Sequence, residues 1–346
     1  MADVPVSSHG GGIAAAQRWL RRRTSRAADW RPDRLVAAKG DTRVSVILPA
    51  RNEEPTVGLI VATIRRELVE RLPLVDEVLV VDSHSTDRTG AVAAEAGARV
   101  VHQDAVLPEL PPLPGKGDAM WKGLAATRGD IVVFVDADLR EFGPHFVTGL
   151  LGPLLTDPTV SFVKGAYERP LRVDGRVEKG AGGRVTELVA RPLINMFWPE
   201  LAGFVQPLAG EYAGRREVLE LVPFVAHYGV ELGLLVDLLE LVGLDAMAQV
   251  DLGYRVHKHQ PVPVLGRMAA QIMHTAWSRL ERQRRLVATA PPSPALLQFL
   301  VEDGAAPVRV CDVRLRERPC LASLRVTARP GARGRRAPAA GRIGRA

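Results

Sequence analysis

The chain has 346 residues, room for one large or two modest domains, and its apolar fraction of 47% is typical of a globular protein. No apolar run reaches the roughly 18 residues that a transmembrane helix needs, and the N-terminus lacks a secretion signal. We therefore expect a cytoplasmic protein without a membrane span. The two cysteines, Cys311 and Cys320, form neither a disulfide framework nor a zinc pattern.

The net charge of +7 suggests a nucleic-acid partner, but its distribution argues against one. Residues 1–43 hold nine Lys/Arg and four Asp/Glu, and residues 327–346 hold six Arg and no acid, so the rest is slightly acidic. Basic ends are more often solvated than bound to nucleic acid or anionic membrane. We predict a basic N-terminal extension over 1–40, a disordered Arg-rich tail over 326–346 and no nucleic-acid partner.

Strands that alternate with short helices fill the first half of the chain. Strands are predicted over 44–54, 77–87, 98–104 and 131–135, and helices over 56–71, 89–97 and 117–127. This alternation is typical of βαβ units and predicts an α/β fold, a Rossmann-like, mostly parallel sheet flanked by helices. Right-handed crossovers would bring the carboxyl ends of the strands to one edge, where such sheets bind ligands.

Helices are also predicted towards both ends. Residues 13–28 could form a basic helix that packs through Trp19 and Leu20. The stretch 264–290 is predicted to be helical, and four apolar residues fall on one stripe of it: Met268, Ile272, Ala276 and Leu280. Such a stripe is usually core or a subunit interface, and on that basis we predict a homodimer.

The strand over 131–135 is an unbroken apolar run, which indicates burial on both faces. It ends in Asp136-Ala137-Asp138, and nothing in the run neutralises the two carboxylates. A hard divalent cation bound together with substrate phosphates would do so. A strand that ends in a polar turn is the alternative interpretation.

Other polar residues follow strand ends and are expected at the same edge: Glu53, Asp82, Ser83 and Asp87. Caps and turns are their alternative roles, because Asp and Ser favour such positions. We assign capping to Ser85 and Asp87 but not to Asp82 or Asp136.

Four segments in this order and spacing resemble GT-A-fold nucleotide-sugar glycosyltransferases, including dolichyl-phosphate-mannose-synthase-like enzymes: PARNEE (49–54), VVDSHSTD (80–87), GKGDAMWKG (115–123) and FVDAD (134–138). Three later segments narrow the resemblance to glucosyl-3-phosphoglycerate synthases, whose relatives make mannosyl-3-phosphoglycerate: KGAGGRVTELVARPL (179–193), YGVELGLLVD (228–237) and GYRVHKHQ (253–260). The resemblance covers roughly residues 40–290. It implies a GT-A domain over 41–265, followed by a helical C-terminal extension over 266–325.

The resemblance also implies a UDP-glucose donor and the residues that bind it. These are Pro49, Ala50, Arg51, Asn52, Glu53, Ser83, Lys116, Asp136, Ala137, Leu208, Tyr228, Glu231 and Arg255. The glycines around Lys116 would let the backbone approach an anion closely, although a surface loop lysine is the alternative. Arg51 replaces a more often apolar residue and His84 a common glycine, which leaves details of base recognition open.

For the metal, the resemblance implies Mg²⁺ or Mn²⁺ bound by Asp138 and His257, and the imidazole slightly favours Mn²⁺. For the acceptor, 3-phosphoglycerate, it implies Gly183, Arg184, Val185, Thr186 and His259. The glycine-rich stretch before Thr186 runs into an apolar helix, for which Thr186 is the predicted N-cap. Backbone N–H groups at such a helix start, together with Arg184, suit an anion, and a plain glycine loop is the alternative. His259 stands where asparagine is expected.

Glu231 and Asp138 are the predicted catalytic residues of a reaction that the resemblance implies to be retaining. Glu231 would be either the nucleophile of a double displacement or a group that positions the sugar while the donor phosphate accepts the proton. We favour the second role. Because Tyr228 to Leu239 is otherwise apolar, a glutamate buried there needs a partner.

These features together predict a metal-dependent glucosyltransferase that acts on the 2-hydroxyl of 3-phosphoglycerate. Three alternatives remain: a GDP-mannose donor, a polyprenyl-phosphate acceptor, and a non-enzymatic protein whose basic ends contact nucleic acid. The second would call for a membrane anchor or apolar C-terminal helices, and the sequence shows neither.

Overall fold

The computed structural model describes residues 8–168, 171–173, 176–178, 183–255, 260–300 and 307–327. His257, His259 and the predicted tail beyond residue 327 lie outside this part of the chain.

Helices and strands are named here in chain order, within the described residues. The helices are α1 Ser8–Arg23, α2 Pro32–Lys39, α3 Glu54–Ile64, α4 Thr89–Glu95, α5 Lys116–Ala126, α6 His145–Thr156, α7 Arg191–Phe197, α8 Arg216–Leu219, α9 Val230–Val242, α10 Val262–Arg282 and α11 Leu321–Thr327. The strands are β1 Thr24–Arg26, β2 Val44–Ala50, β3 Glu77–Asp82, β4 Arg99–His102, β5 Ile131–Phe134, β6 Phe162–Glu168, β7 Leu171–Val173, β8 Arg176–Glu178, β9 Tyr212–Arg215, β10 Phe224–Val225, β11 Met247–Tyr254, β12 Ala295–Phe299, β13 Val308–Asp312 and β14 Glu317–Arg318.

An eight-stranded sheet in the order β1-β11-β6-β9-β5-β2-β3-β4 forms the centre of the described molecule. Neighbouring strands are parallel except at β9, which runs antiparallel to both β5 and β6. Helices cover both faces, with one apolar core on each side, and every side chain of β5 is buried. This confirms the predicted mostly parallel sheet and the burial of the strand before Asp136.

The basic N-terminal region contributes to the sheet itself. Trp19 of α1 is buried and donates its ring N–H to the carbonyl of Met247 at 2.8 Å. Leu20 is 36% exposed, so only one residue of the predicted packing pair faces the body. The strand after α1, β1, then pairs in parallel with β11 at the sheet edge.

The C-terminal region is helical only in part. Helix α10 ends at Arg282, and the chain continues as the antiparallel pair β12–β13 before β14 pairs with β10. The residues Ile272, Ala276 and Leu280 of the predicted stripe are buried in the chain's own core. That stripe therefore no longer supports the homodimer, which stays a prediction.

No helix among the described residues has the length and apolar character needed to cross a membrane.

Candidate active site

The loops after β2 and β3 are joined by side chains. Asn52 has a positive φ of 56°, its N–H donates to the Ser85 hydroxyl at 3.0 Å, and its side-chain oxygen accepts from the Thr86 N–H at 2.8 Å. Asp82 accepts the Ser85 N–H at 2.9 Å. Asp82 is therefore a turn residue, contrary to our expectation, and Ser85 links the loops rather than capping a helix.

Hydrogen bonds connect the start of α3 to the segments that follow β3 and β5. Glu53 is its N-cap residue, and the Glu53 N–H donates to the Thr89 hydroxyl at 2.8 Å. Asp87 accepts the N–H of Thr89, the first residue of α4, at 3.0 Å, but the N-cap residue of α4 is Arg88, so Asp87 acts from one position before the cap that we predicted for it. The Thr56 hydroxyl donates to the Ala137 carbonyl at 2.6 Å and holds the loop after β5 against α3.

A cleft of about 350 Å³ opens at these strand ends, and we name it the strand-end cleft. Six of the predicted donor-binding residues line it: Pro49, Ala50, Arg51, Ser83, Lys116 and Tyr228. Sequence reasoning missed its remaining lining residues, which are Pro114, Gly115, Ala119, His227, Arg267, Gln271 and Asp312. Since Arg267, Gln271 and Asp312 come from α10 and β13, the C-terminal region forms one wall.

Lys116 links this cleft to two carboxylates. Its ammonium lies 2.6 Å from Asp136 Oδ1 and 3.0 Å from Glu231 Oε1. Glu231, in the first turn of α9, is only 4% exposed, so the predicted need for a partner is confirmed. Burial alone would lower the pKa of Lys116, but Asp136 and Glu231 raise it well above its usual value. Lys116 therefore stays protonated.

Arg255 is buried on the other side of Asp136. Its Nη2 lies 2.9 Å from Asp136 Oδ2 and 2.8 Å from Asp138 Oδ1, and its Nη1 lies 2.6 Å from Glu211 Oε1. Burial would raise the pKa of Asp136, but Lys116 and Arg255 outweigh it and hold that pKa far below its usual value. Burial also dominates at Glu211 and raises its pKa despite Arg255. Asp136 is thus a fixed negative charge.

Two further buried residues, Glu211 and Lys164, interact with these charged groups, and sequence reasoning missed both. The Lys164 ammonium donates to the Ala209 carbonyl at 2.8 Å and lies 4.5 Å from the Tyr212 ring centre. Burial lowers the pKa of Lys164 to about 7, although Glu231 opposes the shift. No local motif could have identified these residues, because the antiparallel insertion of β9 beside β6 brings them together.

Sequence reasoning also missed Gly210, a position that requires glycine for steric reasons. A Cβ added there would lie 2.3 Å from both carboxylate oxygens of Asp136. Only glycine lets the chain before β9 pass this close to the charged group. The predicted donor residue Leu208 lies in the same segment and is partly buried against the core.

Four of the predicted acceptor residues, Gly183 to Thr186, lie at a helix start. Gly183 has a φ of 83°, and its carbonyl accepts the Glu187 N–H at 3.0 Å. The helix therefore begins at Arg184 and runs into α7, so Thr186 lies within its first turn and is not the N-cap. Arg184 donates to the Gln260 carbonyl at 2.9 Å, while Val185 is buried.

Asp138 is the predicted metal ligand that the structure describes. Its side chain is 37% exposed, compared with 18% for Asp136, so Asp138 is the more accessible of the two carboxylates after β5. A carboxylate in that position suits a hard divalent cation. The second predicted ligand, His257, lies outside the described residues.

The mixed sheet, the strand-end cleft and the paired carboxylates after β5 define a glycosyltransferase of the GT-A fold. Residues 45–204 match the family model described as glycosyl transferase family 2. The chain is 49% identical to glucosyl-3-phosphoglycerate synthase from Mycolicibacterium smegmatis over 308 residues, which covers 89% of this chain and 98% of that protein. The chain belongs to the glucosyl-3-phosphoglycerate synthase family.

Solved structures agree with this assignment. Mannosyl-3-phosphoglycerate synthase from Rubrobacter xylanophilus matches with a TM-score of 0.83 and 41% identity, covering 89% of this chain and 99% of that one. Glucosyl-3-phosphoglycerate synthase from Mycobacterium tuberculosis, in complex with Mn²⁺, UDP-glucose and phosphoglyceric acid, matches with a TM-score of 0.75 and 44% identity, covering 85% and 95%. The same M. tuberculosis protein has also been solved with Mg²⁺ and UDP.

Proposed function

We propose that this chain transfers glucose from UDP-glucose to the 2-hydroxyl of 3-phosphoglycerate with retention of configuration, and that it uses Mg²⁺ or Mn²⁺. The observation that carries the proposal is the meeting of the strand-end cleft with the cluster of Lys116, Asp136 and Glu231, in a chain of this family. In this proposal the nucleotide binds in the cleft, and the diphosphate and sugar bind next to the charged cluster.

Lys116 is the proposed donor-binding cation. It is protonated, lines the cleft and is held by two carboxylates. Its ammonium group is therefore placed to pair with the diphosphate of a donor bound in the cleft. Asn52, Glu53 and Ala137 shape the same edge through backbone and side-chain hydrogen bonds. Asp136, ionised and held from both sides, is suited to accept hydrogen bonds from ribose or uracil.

Asp138 and His257 are the proposed metal ligands. A bound divalent cation supplies charge neutralisation to the diphosphate as it leaves. Arg255 keeps Asp138 oriented through its Nη2 at 2.8 Å, while the partial exposure of Asp138 leaves the carboxylate accessible to a metal ion. Arg255 is thus proposed to position Asp138 in addition to contacting the donor.

The acceptor site is proposed at the helix start formed by Gly183, Arg184, Val185 and Thr186, and His259 is proposed as a further acceptor residue. The first backbone N–H groups of a helix have no intrahelical partner and favour anions. The phosphate and carboxylate of 3-phosphoglycerate suit them and the Arg184 guanidinium. Arg184 also donates a hydrogen bond to the Gln260 carbonyl at 2.9 Å, which joins this helix start to the segment that leads into α10.

Glu231 is proposed to position the glucose. Its carboxylate is already paired with Lys116, and that ion pair makes it a poor free nucleophile. Glu231 and Leu208 would contact the sugar, Tyr228 would close over it from the cleft wall, and the donor phosphate would accept the proton on the same face.

Product analysis tests the proposal. Wild type and Asp138→Ala are incubated with 3-phosphoglycerate and either UDP-glucose or GDP-mannose, with and without EDTA. We expect glucosyl-3-phosphoglycerate from wild type, loss of the product with EDTA, and loss on the order of a hundredfold or more in Asp138→Ala, because the metal clamp is removed. Full activity of Asp138→Ala would contradict the metal assignment.

A higher kcat/KM with GDP-mannose would favour a second function, the mannosyl transfer named for the R. xylanophilus protein, which shares the fold with a TM-score of 0.83. If no product forms with either UDP-glucose or GDP-mannose, both functions are contradicted.

A further inference from the structure

The C-terminal strand β14 lies next to the start of the helix that carries Lys116. β14 pairs with β10, so that Arg318 lies opposite Phe224. Arg318 is 3% exposed, and its guanidinium forms an ion pair with Asp118, which is fully buried. The same guanidinium donates to the Pro111 carbonyl at 2.8 Å, in the loop that leads to Lys116.

Asp118 lies in the first turn of α5, two residues after Lys116. Its N–H donates to the Ala226 carbonyl at 3.2 Å, and Gln103 donates to its carboxylate. The Ala226 N–H in turn donates to the Arg316 carbonyl at 2.8 Å, in the residue before β14. Hydrogen bonds therefore connect the start of α5 to the segment after β10, and that segment to the residue before β14.

The glycines on either side of Lys116 make this contact close. A Cβ on Gly115 would lie 2.4 Å from the Ala226 carbonyl oxygen, and a Cβ on Gly117 would lie 1.8 Å from the Val225 carbonyl oxygen. The backbone that carries Lys116 is thus in direct contact with the segment that β14 supports. A shift of that segment would move Lys116 with it.

We propose that Arg318 is a positioning residue for Lys116. It neutralises the buried Asp118 and holds the loop at Pro111, and this fixes the first turn of α5 so that Lys116 reaches the donor diphosphate. The inference rests on the proposed function, in which Lys116 binds the donor. Breaking a buried ion pair leaves an uncompensated charge, so the first turn of α5 would rearrange without Arg318.

The chain offers a matched control at the opposite end of the same helix. Arg216 donates to the Leu124 carbonyl at 2.8 Å and to the Thr127 hydroxyl at 2.9 Å. Helix α5 is 11 residues long, so Leu124 lies eight residues or about 12 Å along the axis from Lys116. A defect at Arg216 weakens the helix without touching the Lys116 end.

The experiment compares Arg318→Lys, Arg318→Met, Asp118→Asn and Arg216→Lys in the full chain. The measurements are kcat, the KM for each substrate, the Kd for UDP in the presence of Mn²⁺ by calorimetry, and Tm. We expect Arg318→Lys to raise the KM for UDP-glucose and the Kd for UDP on the order of tenfold, because a small displacement of a binding group is costly. The KM for the acceptor should not change.

Arg318→Met and Asp118→Asn should raise the same two constants further. Arg216→Lys should lower Tm and leave the KM for UDP-glucose at the wild-type value. The inference is overturned if Arg318→Lys and Asp118→Asn leave the KM and Kd unchanged, if the KM values for both substrates rise together, or if Arg216→Lys shows the same donor defect. Should Arg318→Met fail to fold, the two milder variants decide.

The UDP measurement separates this inference from the proposed function. A wild type that binds UDP but makes no glucosyl-3-phosphoglycerate contradicts the function, and a loss of UDP binding in Arg318→Lys would still support the positioning role.

Discussion

Two clusters of buried ion pairs in the described part of this molecule differ in their surroundings. The first, which we name the site cluster, comprises Lys116, Asp136, Glu211, Glu231 and Arg255. Asp136 and Arg255 of this cluster follow the ends of the strands β5 and β11, and Lys116 lines the strand-end cleft.

The second, the core cluster, comprises Asp237, Arg279, Arg282 and Glu317. It joins α9, α10 and β14, and Asp237 and Arg279 are its buried members, whereas Arg282 is 43% exposed. Arg279 is 1% exposed, and its guanidinium donates to Asp237 through two nitrogens. Burial of charge therefore does not by itself indicate function. The position of the site cluster at strand ends, beside a cleft that admits a ligand, is what distinguishes it.

The largest expected effect comes from removing one charge in each cluster. Asp136→Asn should lower kcat/KM on the order of 10²- to 10³-fold, because Lys116 and Arg255 lose the carboxylate that orients them at the reacting phosphates. Asp237→Asn should leave the KM for UDP-glucose unchanged and cost about 3 kcal/mol of unfolding free energy, because Arg279 loses its main partner.

Steady-state kinetics and urea unfolding of both variants check this pair. Equal kinetic defects in the two variants would show that the comparison between the clusters is wrong.

A smaller effect is expected at Gly210. Gly210→Ala places a Cβ against both oxygens of Asp136 and should displace that carboxylate, with a loss in kcat/KM of about tenfold. Gly11→Ala in α1 is the matched control, because a Cβ there meets nothing within 4 Å. Alanine also favours a helix over glycine, so the control should be slightly more stable and equally active. Unchanged kinetics in Gly210→Ala would contradict the steric role.

The smallest effect is a pH dependence at Lys164, which interacts electrostatically with members of the site cluster. Burial lowers the pKa of Lys164 from 10.5 to about 7. Below about pH 7 the lysine is protonated whether folded or unfolded, and its buried charge costs stability. Between about pH 7 and 10.5 the unfolded chain keeps the proton that the folded chain releases, so this group's contribution to stability rises with pH.

Urea unfolding of wild type and Lys164→Met at several pH values checks this expectation. The stability of wild type relative to the variant should increase across that range. Parallel profiles would contradict the burial effect.

The strand ends show how far sequence reasoning reaches. The apolar run before Asp136 predicted a strand buried on both faces, and β5 is such a strand. The apolar context of Glu231 predicted a partner, which is Lys116. By contrast, Asp82 accepts a turn hydrogen bond and Thr186 lies inside a helix, because a turn or a cap depends on local φ and ψ angles that composition leaves open.

The order of residues along this chain determined the alternation of strands and helices, the acids at the strand ends and the family to which the chain belongs. These follow from apolar periodicity and short motifs, which are local properties. Only the tertiary structure decided that β9 inserts antiparallel beside β5, that Glu211, Lys164 and Gly210 surround Asp136, and that Arg318 lies beside the helix of Lys116. The physical reason is that burial, ion pairing and steric contact arise between residues far apart in the chain, and no local pattern records which segments become neighbours.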